Sequence, residues 1–196
     1  MIAIVDYGAG NLNSVKKAFA YLGAEAVVTD QPRTVARASK MVLPGVGHFS
    51  SLEALNTTGL AEALLQSASA GKPFLGICLG MQWLFAGSEE CLEVAGAGIF
   101  PDKCRQFPSS VKSPHVGWNS LHTPQSSRLL AGVADGTQVY FTHSYAAPIT
   151  PESAATCEHG AEFAAAVEIG HIFGVQFHPE KSGPVGLRIV RNFLEL

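Results

Sequence analysis

An α/β fold with a mostly parallel central sheet is expected from three observations. Short apolar runs alternate with helical periodicities through roughly the first half of the chain, and glycine or proline punctuates most changes. After Gly98 the texture shifts to strand-like runs joined by Gly-, Pro- and Ser-containing loops. Alternating strands and helices imply a parallel sheet covered by helices on both faces. The second half reads as antiparallel additions to it.

The elements follow in order. Ile2-Ala3-Ile4-Val5 is a strand that ends in Asp6-Tyr7-Gly8-Ala9-Gly10-Asn11. Leu12, Val15, Phe19 and Leu22 then recur at spacings of three and four, which predicts a helix stopped by Gly23. Ala26-Val27-Val28 is a second strand, and Met41-Val42-Leu43 a third, ended by Pro44-Gly45-Val46-Gly47. Leu60, Leu64 and Leu65 mark a helix closed by Gly71 and Pro73. Phe74-Leu75-Gly76-Ile77 enters as a strand, and residues 79–85 leave as a helix. Residues 138–145, 164–168 and 172–177 are further strands. Ser182 stands where it would cap a final helix that turns Leu187, Val190 and Phe193 inward. With no repeat, low-complexity tract or linker, residues 1–196 are expected to form one domain.

Composition narrows the function classes. The 196 residues suffice to bury about 70% of the unfolded surface. A content of 47% apolar and 15% charged residues is that of a globular chain. Thirteen Lys+Arg against sixteen Asp+Glu leave a charge of −3, no electrostatic footprint for nucleic acid or an anionic membrane. Asp6 interrupts the N-terminal apolar run too early for a signal peptide, and no run approaches the ~20 residues of a membrane span. A cytoplasmic location is expected. The cysteines (Cys78, Cys91, Cys104 and Cys157) form no C-x-x-C pair, so neither a metal centre nor a disulfide framework is expected, and no cofactor is called for.

Cys78 stands apart from the other three. Gly76-Ile77-Cys78-Leu79-Gly80 follows an apolar run, as a strand-turn-helix corner would. At such a corner the central residue is strained, and flanking glycines remove side chains that would collide. The sulfur then lies at the mouth of the sheet by a helix N-terminus, whose partial positive charge favours a thiolate nucleophile. The Leu79 amide would point toward an oxyanion formed beside it. His178 ends the run Phe173-Gly174-Val175-Gln176-Phe177, and Pro179 should stop the pairing there and leave the imidazole at the rim. Glu180, two residues on, is placed to fix the imidazole tautomer. His143, inside Tyr140-Phe141-Thr142-His143-Ser144-Tyr145, is the rival base but has no acid near it in sequence.

These segments resemble the class I glutamine amidotransferases. The resemblance is carried by Pro44-Gly45-Val46-Gly47, Gly76-Ile77-Cys78-Leu79-Gly80-Met81-Gln82 and Gly174-Val175-Gln176-Phe177-His178-Pro179-Glu180. Within that class, four segments are similar to the glutaminase subunits of imidazole glycerol phosphate synthases. They are Asp6-Tyr7-Gly8-Ala9-Gly10-Asn11, Pro114-His115-Val116-Gly117-Trp118-Asn119, Tyr140-Phe141-Thr142-His143-Ser144-Tyr145 and His178-Pro179-Glu180-Lys181-Ser182.

The resemblance implies a flavodoxin-like sheet and a thioester route from L-glutamine to glutamate and ammonia, with Cys78, His178 and Glu180 as the catalytic triad. It implies an oxyanion hole from the Val46 and Leu79 amides. Glutamine contacts would come from Gly45, Gln82, Glu90, His143, Ser144 and Tyr145, with Glu90 suited to the α-ammonium. It also implies a heterodimer with a (β/α)8-barrel cyclase, and places Asn11, Trp118 and Lys181 on the cyclase-facing side. From the residues alone Asn11 could equally cap the first helix, Trp118 could be core and Lys181 could be solvated.

Other readings remain at this stage. Gly8-Ala9-Gly10 follows a strand, but the dinucleotide fingerprint needs a further glycine where Asn13 stands. A related cysteine hydrolase, or a glutaminase serving anthranilate or pyridoxal phosphate synthesis, would use the same triad. A catalytically silent regulatory subunit would not need it.

Overall fold

The computed structural model describes residues 1–123 and 126–196. Strand β1 (Ile2–Val5) leads through helix α1 (Leu12–Tyr21) to β2 (Ala26–Thr29), and α2 (Pro32–Arg37) leads to β3 (Lys40–Gly45). Helices α3 (Glu53–Thr57) and α4 (Leu60–Ser69) return the chain to β4 (Phe74–Cys78). A single turn, α5 (Leu79–Gln82), precedes β5 (Phe85–Ser88), β6 (Phe100–Gln106) and β7 (His115–Ser120). Then come β8 (Gln138–His143), β9 (Tyr145–Ala146), β10 (Ser153–Glu158), β11 (Glu162–Ile169) and β12 (Ile172–Val175), and α6 (Gly183–Glu195) closes the chain.

Seven strands form the main sheet in the order β10-β11-β12-β4-β3-β1-β2. The five from β12 to β2 run parallel, while β10 and β11 add antiparallel at one edge. This is the mixed architecture expected from the sequence. The parallel part follows the doubly wound order 2-1-3-4-5, which sets helices on both faces.

Strand residues divide between the faces with a period of two. Ile2, Ile4, Val42, Leu75 and Ile77 pack with Val15 and Phe19 of α1 and Ile189, Val190 and Phe193 of α6. The Phe19 and Phe193 rings meet edge-on at 6.4 Å and join those two helices. Ala3, Val5, Met41, Leu43 and Phe74 pack on the opposite face with Val35 of α2 and Leu60 and Leu64 of α4. Burial on both faces explains why the strands read as continuous apolar runs. Among the described residues no helix is long and apolar enough to cross a membrane.

Four local expectations need correction. The helix expected over residues 79–85 lasts one turn, because the next segment is captured by a later one. The carbonyls of Trp83, Leu84 and Phe85 accept from the amides of Ala97, Ile99 and Gly98, and Phe85 begins a strand. The run 138–145 splits at Ser144, where the chain leaves its pairing with β7 and joins β6. The strand expected over residues 172–177 ends at Val175, before Pro179 can act. Ser182 precedes α6 without capping it; its hydroxyl donates to the His178 carbonyl at 2.7 Å and accepts from the Tyr140 amide at 3.0 Å. Helix α2 and strands β6, β7 and β10 had no separate signal in the sequence reading.

Candidate active site

Three parallel strands end side by side. In the β3–β4 register Gly45 lies opposite Cys78, and in the β4–β12 register Val175 lies opposite Ile77. The sulfur-bearing residue therefore ends the central strand, and His178 follows shortly after the end of its neighbour. This is the carboxyl edge of the sheet, where open α/β folds gather their sites. The cluster lies between β4 and β12 rather than at the reversal of strand order beside β1.

Cys78 has φ 53° and ψ −108° and, among the described residues, is the non-glycine residue with positive φ. Such a conformation costs about 1–3 kcal/mol and persists only where the surroundings enforce it. They do so here. A side chain at Gly76 would run into the Gly80 carbonyl, and one at Gly80 into the Leu43 carbonyl. The two glycines thus let the turn fold back onto β3. Helix α5 is a single turn, so its dipole contributes less at the sulfur than the sequence suggested. Gln176 directs its Nε2 at the sulfur at 3.5 Å, while the Thr142 carbonyl lies at 3.9 Å.

His178 is 1% exposed, and its backbone amide donates to the Tyr140 carbonyl at 2.9 Å. Its Nδ1 donates to Glu180 Oε1 at 2.9 Å, and the Glu180 side chain is also buried. Nε2 makes no hydrogen bond within the chain. Burial opposes a charged imidazole, but the neighbouring Cys78 sulfur and the Glu180 carboxylate outweigh it and push His178 up to about 9. A group raised in the folded state stabilises fully below its unfolded value near 6.5 and loses that contribution as pH rises through about 9. The unfolding free energy is therefore expected to fall between pH 6.5 and 9. Denaturant titrations across that window should show the slope, and His178→Asn should flatten it; an unchanged slope would contradict the assignment.

A cavity of about 260 Å³ opens beside the sulfur, lined in part by Gly47, Gln82, Glu90, His143, Ser144 and Tyr145. It is smaller than the ~300–1,000 Å³ of drug-sized pockets and suits one small polar molecule. Glu90 Oε2 accepts from the Phe49 amide at 2.8 Å, which anchors a carboxylate at the rim. Leu79 also lines the cavity, and its amide, at the first helical position, has no intrahelical acceptor. Val46 follows directly after Gly45, the residue opposite Cys78. Gly45 itself does not line the cavity: it packs under the Tyr7 hydroxyl and Leu79, where any side chain would collide.

His143 lines the cavity with both ring nitrogens engaged, to the Tyr145 carbonyl at 2.9 Å and to His115 at 3.1 Å. Burial and neighbouring imidazoles push it down to about 3, so it is a poor base at neutral pH. Trp118 is 54% exposed on β7, beside Tyr140 at 6.2 Å between ring centroids. Lys181 is exposed, its ammonium 5.6 Å from the Tyr140 ring centroid. Asn11 precedes α1 without a side-chain cap, next to Gly10, whose Cα abuts the end of β3. All three lie away from the core.

Sequence reasoning missed two groups at the sulfur. Tyr7, in the segment after β1, has a buried hydroxyl, and burial together with Cys78 raises it above the ordinary phenol range. Gln176 is fully buried two residues before His178. Its only signal was a polar residue inside an apolar run. Among the described residues no group of His, Cys, Asp or Glu could hold a metal ion.

The chain matches the family described as glutamine amidotransferase class-I over residues 3–196. A relative from Chlorobaculum tepidum, named imidazole glycerol phosphate synthase subunit HisH, is 48% identical over 200 residues, covering 100% of both chains. One of the same name from Moorella thermoacetica is 46% identical over 198 residues, covering 100% of this chain and 94% of the relative. Two solved structures share the fold. One described as a glutamine amidotransferase has a TM-score of 0.78 at 18% identity, covering 100% of this chain and 98% of the other. A chain of PurLQS from Thermotoga maritima has a TM-score of 0.74 at 21% identity, covering 99% and 97%.

Proposed function

The chain belongs to the class I glutamine amidotransferase family, and from that premise we propose that it is the glutaminase subunit of an imidazole glycerol phosphate synthase. It hydrolyses L-glutamine to glutamate and hands the ammonia to a cyclase subunit in histidine biosynthesis. Full-length relatives named for that subunit support the assignment. The observation that carries the chemistry is a strained Cys78 beside an imidazole held by Glu180.

The reaction follows from these groups. The Cys78 sulfur attacks the carboxamide carbon of glutamine, and the resulting oxyanion is met by the amides of Leu79 and Val46. As the C–N bond breaks, His178 Nε2 gives its proton to the leaving nitrogen, and ammonia departs. The same nitrogen then takes a proton from water as the water attacks the thioester, which frees glutamate and restores the sulfur. Glu180 keeps the Nδ1 proton in place, so that Nε2 stays turned to the chemistry. Glu90 receives the α-ammonium of glutamine, and Gln82, His143, Ser144 and Tyr145 shape its site. Gly45 acts by packing.

The partner is a cyclase of (β/α)8-barrel fold. Trp118, with Val116 exposed on the same face of β7, presents an apolar patch for it, flanked by Tyr140 and Lys181. Asn11, in the segment between β1 and α1, is assigned to the same contact. The chain works as one glutaminase domain in the cytoplasm.

Mixing the purified chain with the cyclase and its acceptor nucleotide tests this directly. Glutamine hydrolysis is expected to rise and imidazole glycerol phosphate to form, because releasing ammonia only when an acceptor is bound avoids its loss to water. Trp118→Ala should weaken assembly by about tenfold or more. Equal glutamine hydrolysis with and without cyclase would overturn the coupled function.

A further inference from the structure

The buried polar groups around Cys78 form one hydrogen-bond network whose direction is dictated by a single backbone carbonyl. The Tyr145 carbonyl can only accept. It receives Gln82 Nε2 at 2.8 Å and His143 Nδ1 at 2.9 Å. The first bond turns the Gln82 amide nitrogen inward, where it also donates to Gln176 Oε1 at 3.0 Å. With its oxygen so engaged, Gln176 must present Nε2–H to the Cys78 sulfur, 3.5 Å away. Reversing Gln82 would set two acceptors face to face at the Tyr145 carbonyl, and reversing Gln176 would set two donors face to face at Gln82.

The second bond has the same consequence on the other side. A proton on His143 Nδ1 leaves Nε2 as an acceptor, and it receives His115 Nδ1 at 3.1 Å. His115 Nε2 in turn accepts from Asn119 Nδ2 at 3.2 Å. That nitrogen also donates to the Glu158 carbonyl at 2.9 Å, while Asn119 Oδ1 takes the Ser120 amide. Both imidazoles are neutral in this pattern, since a second proton would oppose a donor. Burial agrees, pushing His143 to about 3 and His115 to about 4. His159 stacks on His115 at 4.2 Å and Phe107 packs edge-on.

We propose that Gln176 is the hydrogen-bond donor to the Cys78 sulfur, its donor end selected by the Tyr145 carbonyl through Gln82, with His143 and His115 as neutral positioning residues. The inference rests on the reading of Cys78 as the nucleophile. A carbonyl beside the sulfur, that of Thr142, disfavours negative charge there, and an N–H aimed at it offsets that effect. The network begins at Asn119 on β7, one residue after Trp118.

Alkylation by iodoacetamide, resolved at each cysteine by mass spectrometry, tests this on the full chain without glutamine or partner. At pH 8, Gln176→Leu is expected to slow alkylation of Cys78 about tenfold. Gln176→Glu, which turns an acceptor toward the sulfur, should slow it further. A packing role alone predicts the opposite order, since glutamate is the closer match in shape. Alkylation of Cys91 serves as the internal control and thermal unfolding as the check on folding. His143→Leu should also slow Cys78, and His143→Asn, whose amide can reach the Tyr145 carbonyl, should recover most of the loss. A wild-type rate in Gln176→Leu, or faster alkylation in Gln176→Glu than in Gln176→Leu, would overturn the proposal. If the order holds in a chain that hydrolyses no glutamine, the network stands and the proposed function fails.

Discussion

Cys78→Ala is expected to lower glutamine-dependent synthesis by the complex at least about 10⁴-fold, while synthesis from added ammonium salt continues at the wild-type rate. The thioester route has no substitute nucleophile in this chain. Cys104 and Cys157 are buried, and burial pushes both thiols up, Cys157 to about 12. Cys91 lies beyond the cavity, its sulfur 3.4 Å from Glu93. Alanine meets the same positive φ as cysteine and leaves a hole only where the sulfur stood, so the fold is expected to persist. Two assays on one preparation, one fed glutamine and one fed ammonium, separate loss of chemistry from loss of structure. Retention of glutamine-driven turnover would remove the covalent mechanism altogether.

His178→Asn is expected to cost roughly 10⁶-fold in kcat/KM for glutamine, and Glu180→Gln roughly 10⁴-fold. Asparagine can place its amide near the original Nδ1 and keep the Glu180 carboxylate satisfied. What it removes is Nε2, the nitrogen without a hydrogen bond in the chain. The comparison therefore isolates proton transfer from packing. Glu180→Gln leaves Nε2 in place but loses the charge that raises His178 and fixes its tautomer. Steady-state kinetics of both variants within the assembled complex give the ranking. If the Glu180 variant were the more damaged of the two, the carboxylate would have to act on substrate itself, contrary to its burial behind the imidazole.

The fold was legible where local chemistry and global packing agree. Alternating apolar runs and 3.6-residue periodicities read directly as strands and helices because nearly every strand of the main sheet is buried on both faces. The turn at Cys78 was legible for the same reason: glycines at 76 and 80 are needed wherever the chain passes that close to β3. The nominal helix over residues 79–85 failed because its pattern is also that of a buried strand, and the returning segment at Ala97 to Ile99 supplied better partners for its carbonyls. Ser182 has the composition of a cap, yet its hydroxyl was claimed by His178 and Tyr140. Trp118 could have been core by composition alone; its exposure follows from lying on a two-stranded ribbon outside the main sheet.

Sequence by itself marked the candidate nucleophile, the histidine and acid proposed to serve it, and the alternation that builds a doubly wound sheet. These are properties of short segments, set by steric limits on the backbone and by the period of apolar residues. Only the tertiary structure decided the charge on His178, the neutral tautomers of His143 and His115, and the donor that Gln176 offers the sulfur. Each of those depends on groups brought together from distant parts of the chain in a buried setting. There, one carbonyl's inability to donate passes along a line of hydrogen bonds that spacing in the sequence does not encode.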